Sequence, residues 1–415
     1  MKLTRITAAI SAAALAAVLA GCGSTDGSTA ATGSTTSATS SATATAGASA
    51  TAVLADNQES HASAEDLAYT ESDVVDVTLS GSTATADGDG VKVDGATVTI
   101  TAPGTFRLSG TLAGQVVVDT SATGDVRIIL DDATITSSTT SAIAVMAADE
   151  AVVILADGST NSLTDGSSYG DDTGEANGAL YSAADLTIAG TGALTVTGNS
   201  NDGIGAQDGL VISSGTVTVT AKDDAIRGKD YVRIEGGTTT ATGTGGDALK
   251  SDNVEDADRG YVAVLGGTVD ATAGDDGISA ASDAVVGGGT LTISAAGDGI
   301  HGDVSATIGG GTTTVTKSGE GLEAKVITIA GGTLAITSTD DGINGSDGSG
   351  GGGGAGGGGA QFGGRGGGGG GGTAATPGRY RLVIGRLQGD TFTAVGQPQF
   401  VNVIEMPEQN YRLYR

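Results

Sequence analysis

From about Val74 onward the chain is written in short segments that alternate apolar and hydroxyl residues, as in Thr216-Val217-Thr218-Val219-Thr220 and Thr290-Leu291-Thr292-Ile293-Ser294. A period of two describes a strand with one buried and one solvated face, and excludes an amphipathic helix. Each such segment opens on a tripeptide ending in Thr: Ser214-Gly215-Thr216, Gly236-Gly237-Thr238, Gly266-Gly267-Thr268, Gly288-Gly289-Thr290, Gly310-Gly311-Thr312 and Gly331-Gly332-Thr333. These threonines follow one another at 22, 30, 22, 22 and 21 residues. Eight or nine residues after each comes an acid, a small residue and then Ile or Leu: Asp224-Ala225-Ile226, Asp247-Ala248-Leu249, Asp276-Gly277-Ile278, Asp298-Gly299-Ile300, Glu320-Gly321-Leu322 and Asp341-Gly342-Ile343. Asp202-Gly203-Ile204 starts the series one coil earlier.

A fixed period near 22 residues means a solenoid with one supersecondary unit per repeat. The Leu spacing of leucine-rich repeats is absent, and the period differs from that of nonapeptide calcium rolls. The pattern predicts an all-β, right-handed parallel β-helix with three short strands per coil and Gly at the bends. Upstream, Val98-Thr99-Ile100, Val116-Val117-Val118, Val126-Arg127-Ile128-Ile129-Leu130 and Val152-Val153-Ile154-Leu155 have the same character at looser spacing, and read as the first coils. A solenoid needs caps, expected from residues 53–90 and from something after Gly345.

Composition agrees. Aromatics are 3% of the 415 residues, Trp is absent and Gly supplies 74, which suits ladders of small side chains better than an ordinary globular core. Net charge is −29. Residues 53–349 hold 44 Asp and Glu against 11 Lys and Arg, so the acidity belongs to the solenoid. Such a surface disfavours nucleic acid and anionic lipid as direct partners.

The lone Cys22 excludes an internal disulfide. Lys2 and Arg5 precede an apolar run from Ala8 to Ala20, and Leu19-Ala20-Gly21-Cys22 reads as a bacterial lipobox whose Cys22 takes a lipid after cleavage. An exported monomer, lipid-anchored at the cell surface, is the expectation. The chain then divides into a signal peptide (1–21), a Ser/Thr/Ala-rich tether (22–60), the β-helix (61–348), a Gly-rich linker (349–376) and a short basic tail (377–415) with a few short strands.

If the coils stack in register, Asp202, Asp224, Asp247, Asp276, Asp298, Glu320 and Asp341 form a column of carboxylates about 5 Å apart. At an effective dielectric near 20 each adjacent pair repels by roughly 3 kcal/mol. Two readings stay open: Asp-Gly as turn chemistry, the carboxylate accepting backbone N–H bonds, or ligation of Ca2+ by clustered oxygens. Asn201-Asp202, Asp223-Asp224, Asp275-Asp276 and Asp340-Asp341 double the ligands at one corner, and the long repeat carries the insertion Ser251-Asp252-Asn253-Val254-Glu255-Asp256-Ala257-Asp258-Arg259-Gly260. Candidate metal ligands are therefore Asp202, Asp223, Asp224, Asp247, Asp252, Asn253, Asp256, Asp258, Asp275 and Asp276. Arg227, Lys229 and Lys250, with Tyr231 and Tyr261 at strand starts on the same coils, are the candidate sugar contacts. His61 and His301 read as surface residues.

The runs Gly198-Asn199-Ser200-Asn201-Asp202-Gly203-Ile204 and Ile226-Arg227-Gly228-Lys229-Asp230-Tyr231, together with Leu249 through Tyr261 and its acidic insertion, resemble a carbohydrate-binding parallel β-helix family. That family is typified by a clostridial cellulose- and acid-sugar-binding surface protein. Gly104-Thr105-Phe106-Arg107-Leu108-Ser109-Gly110 and Leu155-Ala156-Asp157-Gly158-Ser159-Thr160-Asn161 are similar too, so the likeness covers about Val74 to Gly345. It implies a pectate-lyase-like fold, bound calcium and adhesion to plant-type polysaccharide without established lyase activity. Other classes remain as alternatives: a calcium-dependent lyase with Arg or Lys as base, or a scaffolding or ice-binding solenoid presenting its Thr ladders.

Overall fold

The computed structural model describes residues 47–169 and 176–345, and the backbone of four strands beyond them. The expected signal peptide, Cys22 and the expected Gly-rich linker lie outside the described residues. The repeats form a parallel β-helix with three ladders. The threonine ladder stacks Thr160–Thr164, Ala193–Gly198, Thr216–Ala221, Thr238–Gly243, Thr268–Ala273, Thr290–Ser294, Thr312–Lys317 and Thr333–Ile336. The corner ladder, which follows the acid of each coil, stacks Gly178–Ser182, Asp202–Ala206, Ile226–Gly228, Leu249–Ser251 and Ile278–Ala280. The back ladder stacks Leu186–Gly190, Gly209–Ile212, Tyr231–Ile234, Tyr261–Val264 and Asp283–Val286. In the next two coils the corner and back strands fuse into Ile300–Ile308 and Leu322–Ile329.

The second Gly of each Gly-Gly-Thr sits at a positive φ, for example +77° at Gly289 and +72° at Gly311. A Cβ on Gly289 would also stand 2.7 Å from the Gly267 carbonyl oxygen of the coil below, so conformation and stacking both demand glycine. The upstream coils turn without this motif: Val126–Thr136 runs through back and threonine ladders in one strand, bent where Asp132 takes φ +55°. Antiparallel pairs close the N-terminal end, Val74–Gly81 with Ala84–Ala86 and Val91–Asp94 with Thr97–Ile100. Beyond the linker, Tyr380–Gln388 pairs parallel with Leu322–Ile329, and Tyr411–Leu413 pairs antiparallel with Thr333–Ile336.

One boundary differs from the sequence reading. The tether expected over 22–60 is already packed on the solenoid from Gly47 onward, and Ala50–Asp56 is a helix whose Ser49 side chain accepts the Ala52 N–H. Its Val53 is buried against the back ladder. Composition alone hid this, because a short apolar pair, Val53-Leu54, suffices when the surface beneath it is also apolar.

Candidate functional site: an acid-lined corner

The bend between the threonine and corner ladders carries the predicted carboxylate column, and it is in register. Asp224 Oδ1 accepts the Asp247 N–H at 2.8 Å, Asp247 Oδ1 the Asp276 N–H at 2.8 Å, Asp276 Oδ1 the Asp298 N–H at 2.7 Å, and Asp298 Oδ1 the Glu320 N–H at 3.3 Å. Each of these four acids thus satisfies the backbone of the next coil, which is the turn-chemistry reading. At the same bend the second oxygens of Asp224 and Asp247 face Lys250 and that of Asp298 faces His301. There Asp202, Asp223 and Asp224 bring one oxygen each within 4.8 Å of one another, as do Asp247, Asp275 and Asp276. Asp298 forms two further groups, one with Asp276 and His301 and one with Glu320 and Glu323.

Stacking these charges in a half-dry corner is unfavourable, and the carboxyls respond. Burial, reinforced by Asp224, pushes Asp202 up to about 7. Burial, with Asp247 and Asp298 adding, does the same at Asp276, and burial raises Glu320 to about 7. Lys250 relieves the middle of the column, its Nζ standing 3.1 Å from Asp224 and 3.0 Å from Asp247. Burial alone would lower its pKa, but Asp247 and Asp224 outweigh it and hold the ammonium protonated.

Sequence reasoning joined the long insertion to this column; the structure separates them. Asp252 holds Arg227 through Nε at 3.0 Å and Nη2 at 2.8 Å. Asn253 is buried and donates to Asp230 at 2.7 Å while its Oδ1 accepts the N–H groups of Glu255 and Asp256. Arg259 pairs with Asp230 at 2.7 Å and Asp256 at 3.6 Å, and the Asp258 carbonyl accepts the Gln58 N–H. The insertion's carboxylates are thus partly paired, Asp252 with Arg227 of the preceding coil and Asp256 with Arg259 of the loop itself, and Asp252, Asp256 and Asp258 join none of the carboxylate groups among the described residues. Lys229, half-exposed, faces Glu255 at 3.9 Å.

Tyr231 and Tyr261 are corrected more sharply. Both are 0% exposed, stacked on each other with ring centroids 5.1 Å apart, and offer no face to a sugar. Their hydroxyls meet the N-terminal segment: Tyr231 Oη accepts the His61 N–H at 2.9 Å and Tyr261 donates to the Gln58 carbonyl at 2.8 Å. His61 is no surface residue either, since its ring lies 2.6 Å from Tyr231 Oη and 3.0 Å from Thr187 Oγ1.

Arg227 and Lys250, named from the sequence as sugar contacts, belong to a longer outward row after the acids whose alignment sequence reasoning passed over. Gly205, Arg227, Lys250, Ser279, His301 and Glu323 align as one row beside the column. Their signal was in the repeat, at the position after the Ile or Leu. His301 lies 3.4 Å from Asp298, 3.1 Å from Asp303 and 3.4 Å from Glu323. Hydrogen bonding to Asp298 and then Asp303 lifts its pKa to about 11, so it stands as an imidazolium among acids.

The parallel β-helix that carries this bend is shared with a solved polysaccharide lyase-like protein. The solved polysaccharide lyase-like protein of C. thermocellum, a gadolinium derivative, matches with a TM-score of 0.53 and 31% identity over 62% of this chain and 98% of that one. Residues 94–348 match the family model of carbohydrate-binding domain-containing proteins, and the chain belongs to that family. A carbohydrate-binding domain-containing protein of Acetivibrio thermocellus is 35% identical over 196 residues, 46% of this chain and 68% of the relative.

Proposed function

We propose that the corner binds calcium and that the corner and its adjoining row retain a polysaccharide, acidic or cellulose-like, on an exported protein anchored through Cys22. Family membership supports the carbohydrate class. The observation that carries the reading is the pair of three-carboxylate groups, Asp202/Asp223/Asp224 and Asp247/Asp275/Asp276, beside the Arg227 and Lys250 row. An all-oxygen donor set of this kind suits a hard divalent cation. Calcium would supply positive charge between a uronate and a rod that otherwise repels it. Arg227 and Lys250, oriented by Asp252 and by Asp224 and Asp247, would contact sugar carboxylates or hydroxyls at the rim.

Retention rather than cleavage is favoured by the state of those two cations. A lyase base must shed its proton near the working pH, whereas Lys250 is held as an ammonium and Arg227 is tied to Asp252. In pull-downs with polygalacturonate and with cellulose, retention is expected with calcium and lost with chelator. No unsaturated uronate and no new reducing ends should appear; either product would replace the binder with an enzyme. The variant Asp223→Ala with Asp275→Ala, whose carboxylates take no part in the N–H ladder, should abolish calcium-dependent retention by roughly tenfold or more while the fold is kept. Unchanged calcium affinity and retention would show the site to be misplaced.

For the anchor, Cys22→Ser is expected to leave the protein unprocessed or release it from membranes. Unchanged lipid labelling and membrane retention would refute the lipobox.

A further inference from the structure

The back ladder breaks the alternation rule. Its outward row, Thr187, Val211, Arg233, Ala263, Val285, Thr307 and Thr328, aligns coil by coil and, Arg233 apart, is no more than 1% exposed. A strand buried on both faces reads as a continuous apolar run, which Leu210-Val211-Ile212 and Tyr261-Val262-Ala263-Val264 are. What covers this face is the segment before the first coil. It touches the ladder in reverse order: Gly47 N–H to Thr328, the helix Ala50–Asp56 over Val285, Asn57 to Asp283 at 2.9 Å, Gln58 to Tyr261, His61 to Tyr231 and Thr187, and the Glu65 and Asp66 carbonyls to Arg127. Only after this traverse does the chain begin its coils at Val74.

We propose that residues 47–66 are an intramolecular strap that locks coils far apart in the solenoid into one cooperative unit. Two physical consequences follow. A solenoid whose repeats touch only their neighbours opens coil by coil from its ends; a strap bonded from Thr328 back to Arg127 couples those openings. And although the strap comes first in the chain, its surface exists only once the coils carrying Val285 and Thr307 are formed, so it docks after them.

The geometry supplies its own probe. A Cβ built on Gly287 lies 3.9 Å from Ala50 Cβ, close to the separation of disulfide-bonded cysteines. In full-length protein carrying Cys22→Ser, the pair Ala50→Cys and Gly287→Cys is expected to form an intramolecular disulfide on mild oxidation and to raise Tm. Absence of the bond, or its formation only between molecules, would overturn the proposal. In the same background Val53→Asp should speed amide exchange roughly tenfold or more across the coils of Val211, Tyr231, Ala263 and Val285 and broaden or split the unfolding transition. Unchanged exchange there, with the strap's own amides fast, would show a decoration and not a lock. Oxidation of a Val53→Asp protein that also carries the cysteine pair should restore protection, which separates loss of docking from general misfolding.

Discussion

Replacing Gly277 by Ala is expected to destabilise the solenoid by about 1–3 kcal/mol, the usual range for overpacking, and a second change, Ile293→Ala, should cost less in that background than in the wild-type protein. The Cβ added at Gly277 would land on Ile293 Cγ2, and the same conflict faces Gly203 with Val219 and Gly321 with Ile336. Two coils show the complementary solution. Where the small corner residue is Ala225 or Ala248, the register-matched inward residue across the core is Ala241 or Ala271. Corner and core thus share one volume, Gly with Val or Ile and Ala with Ala. Alone, Ile293→Ala should cost about 2–5 kcal/mol through its cavity. In chemical denaturation the double variant should be more stable than the sum of the single effects by at least about 0.5 kcal/mol. Strict additivity would disprove the shared-volume account.

With chelator present, the protein should lose stability as pH rises from about 5 to 8. The folded-state pKa values of Asp202, Asp276 and Glu320 are raised to about 7 by burial. Between the unfolded values near 4 and the folded values near 7 the native state therefore binds more protons, and stability falls with pH across that window. For Asp202, 1% exposed, the shift corresponds to at most on the order of 4 kcal/mol. Calcium at about 100 times its dissociation constant should return about 2.7 kcal/mol, and most at the alkaline end, where protons no longer compete. Asp276→Asn keeps an acceptor for the Asp298 N–H but removes one titrating charge. It should flatten the pH dependence of Tm in chelator and weaken the calcium response. A Tm that rises with pH in chelator, or that ignores calcium, would remove the charged-corner account.

The sequence by itself determined the coil, its bends and its acidic column. These repeat locally: a period of two writes each strand, a Gly at positive φ writes each bend, and one acid per period writes the column, so translation along the chain becomes translation along the axis. The turn role of Asp224, Asp247 and Asp276 was legible for the same reason. What only the tertiary structure decided are contacts outside that period. The insertion at Ser251–Gly260 resembles a ligand loop by composition, yet Arg227 reaches its Asp252 from the preceding coil and its own Arg259 turns back to Asp230. Tyr231 and Tyr261 begin strands as exposed aromatics would, but a segment some 170 and 203 residues earlier in the chain closes over them. The size match between Gly277 and Ile293 crosses the core, and no spacing along the chain announces it. A repeat fixes the neighbours that translation generates; a strap, an ion pair from another coil and a volume shared across the interior depend on which surfaces meet once the coils are stacked.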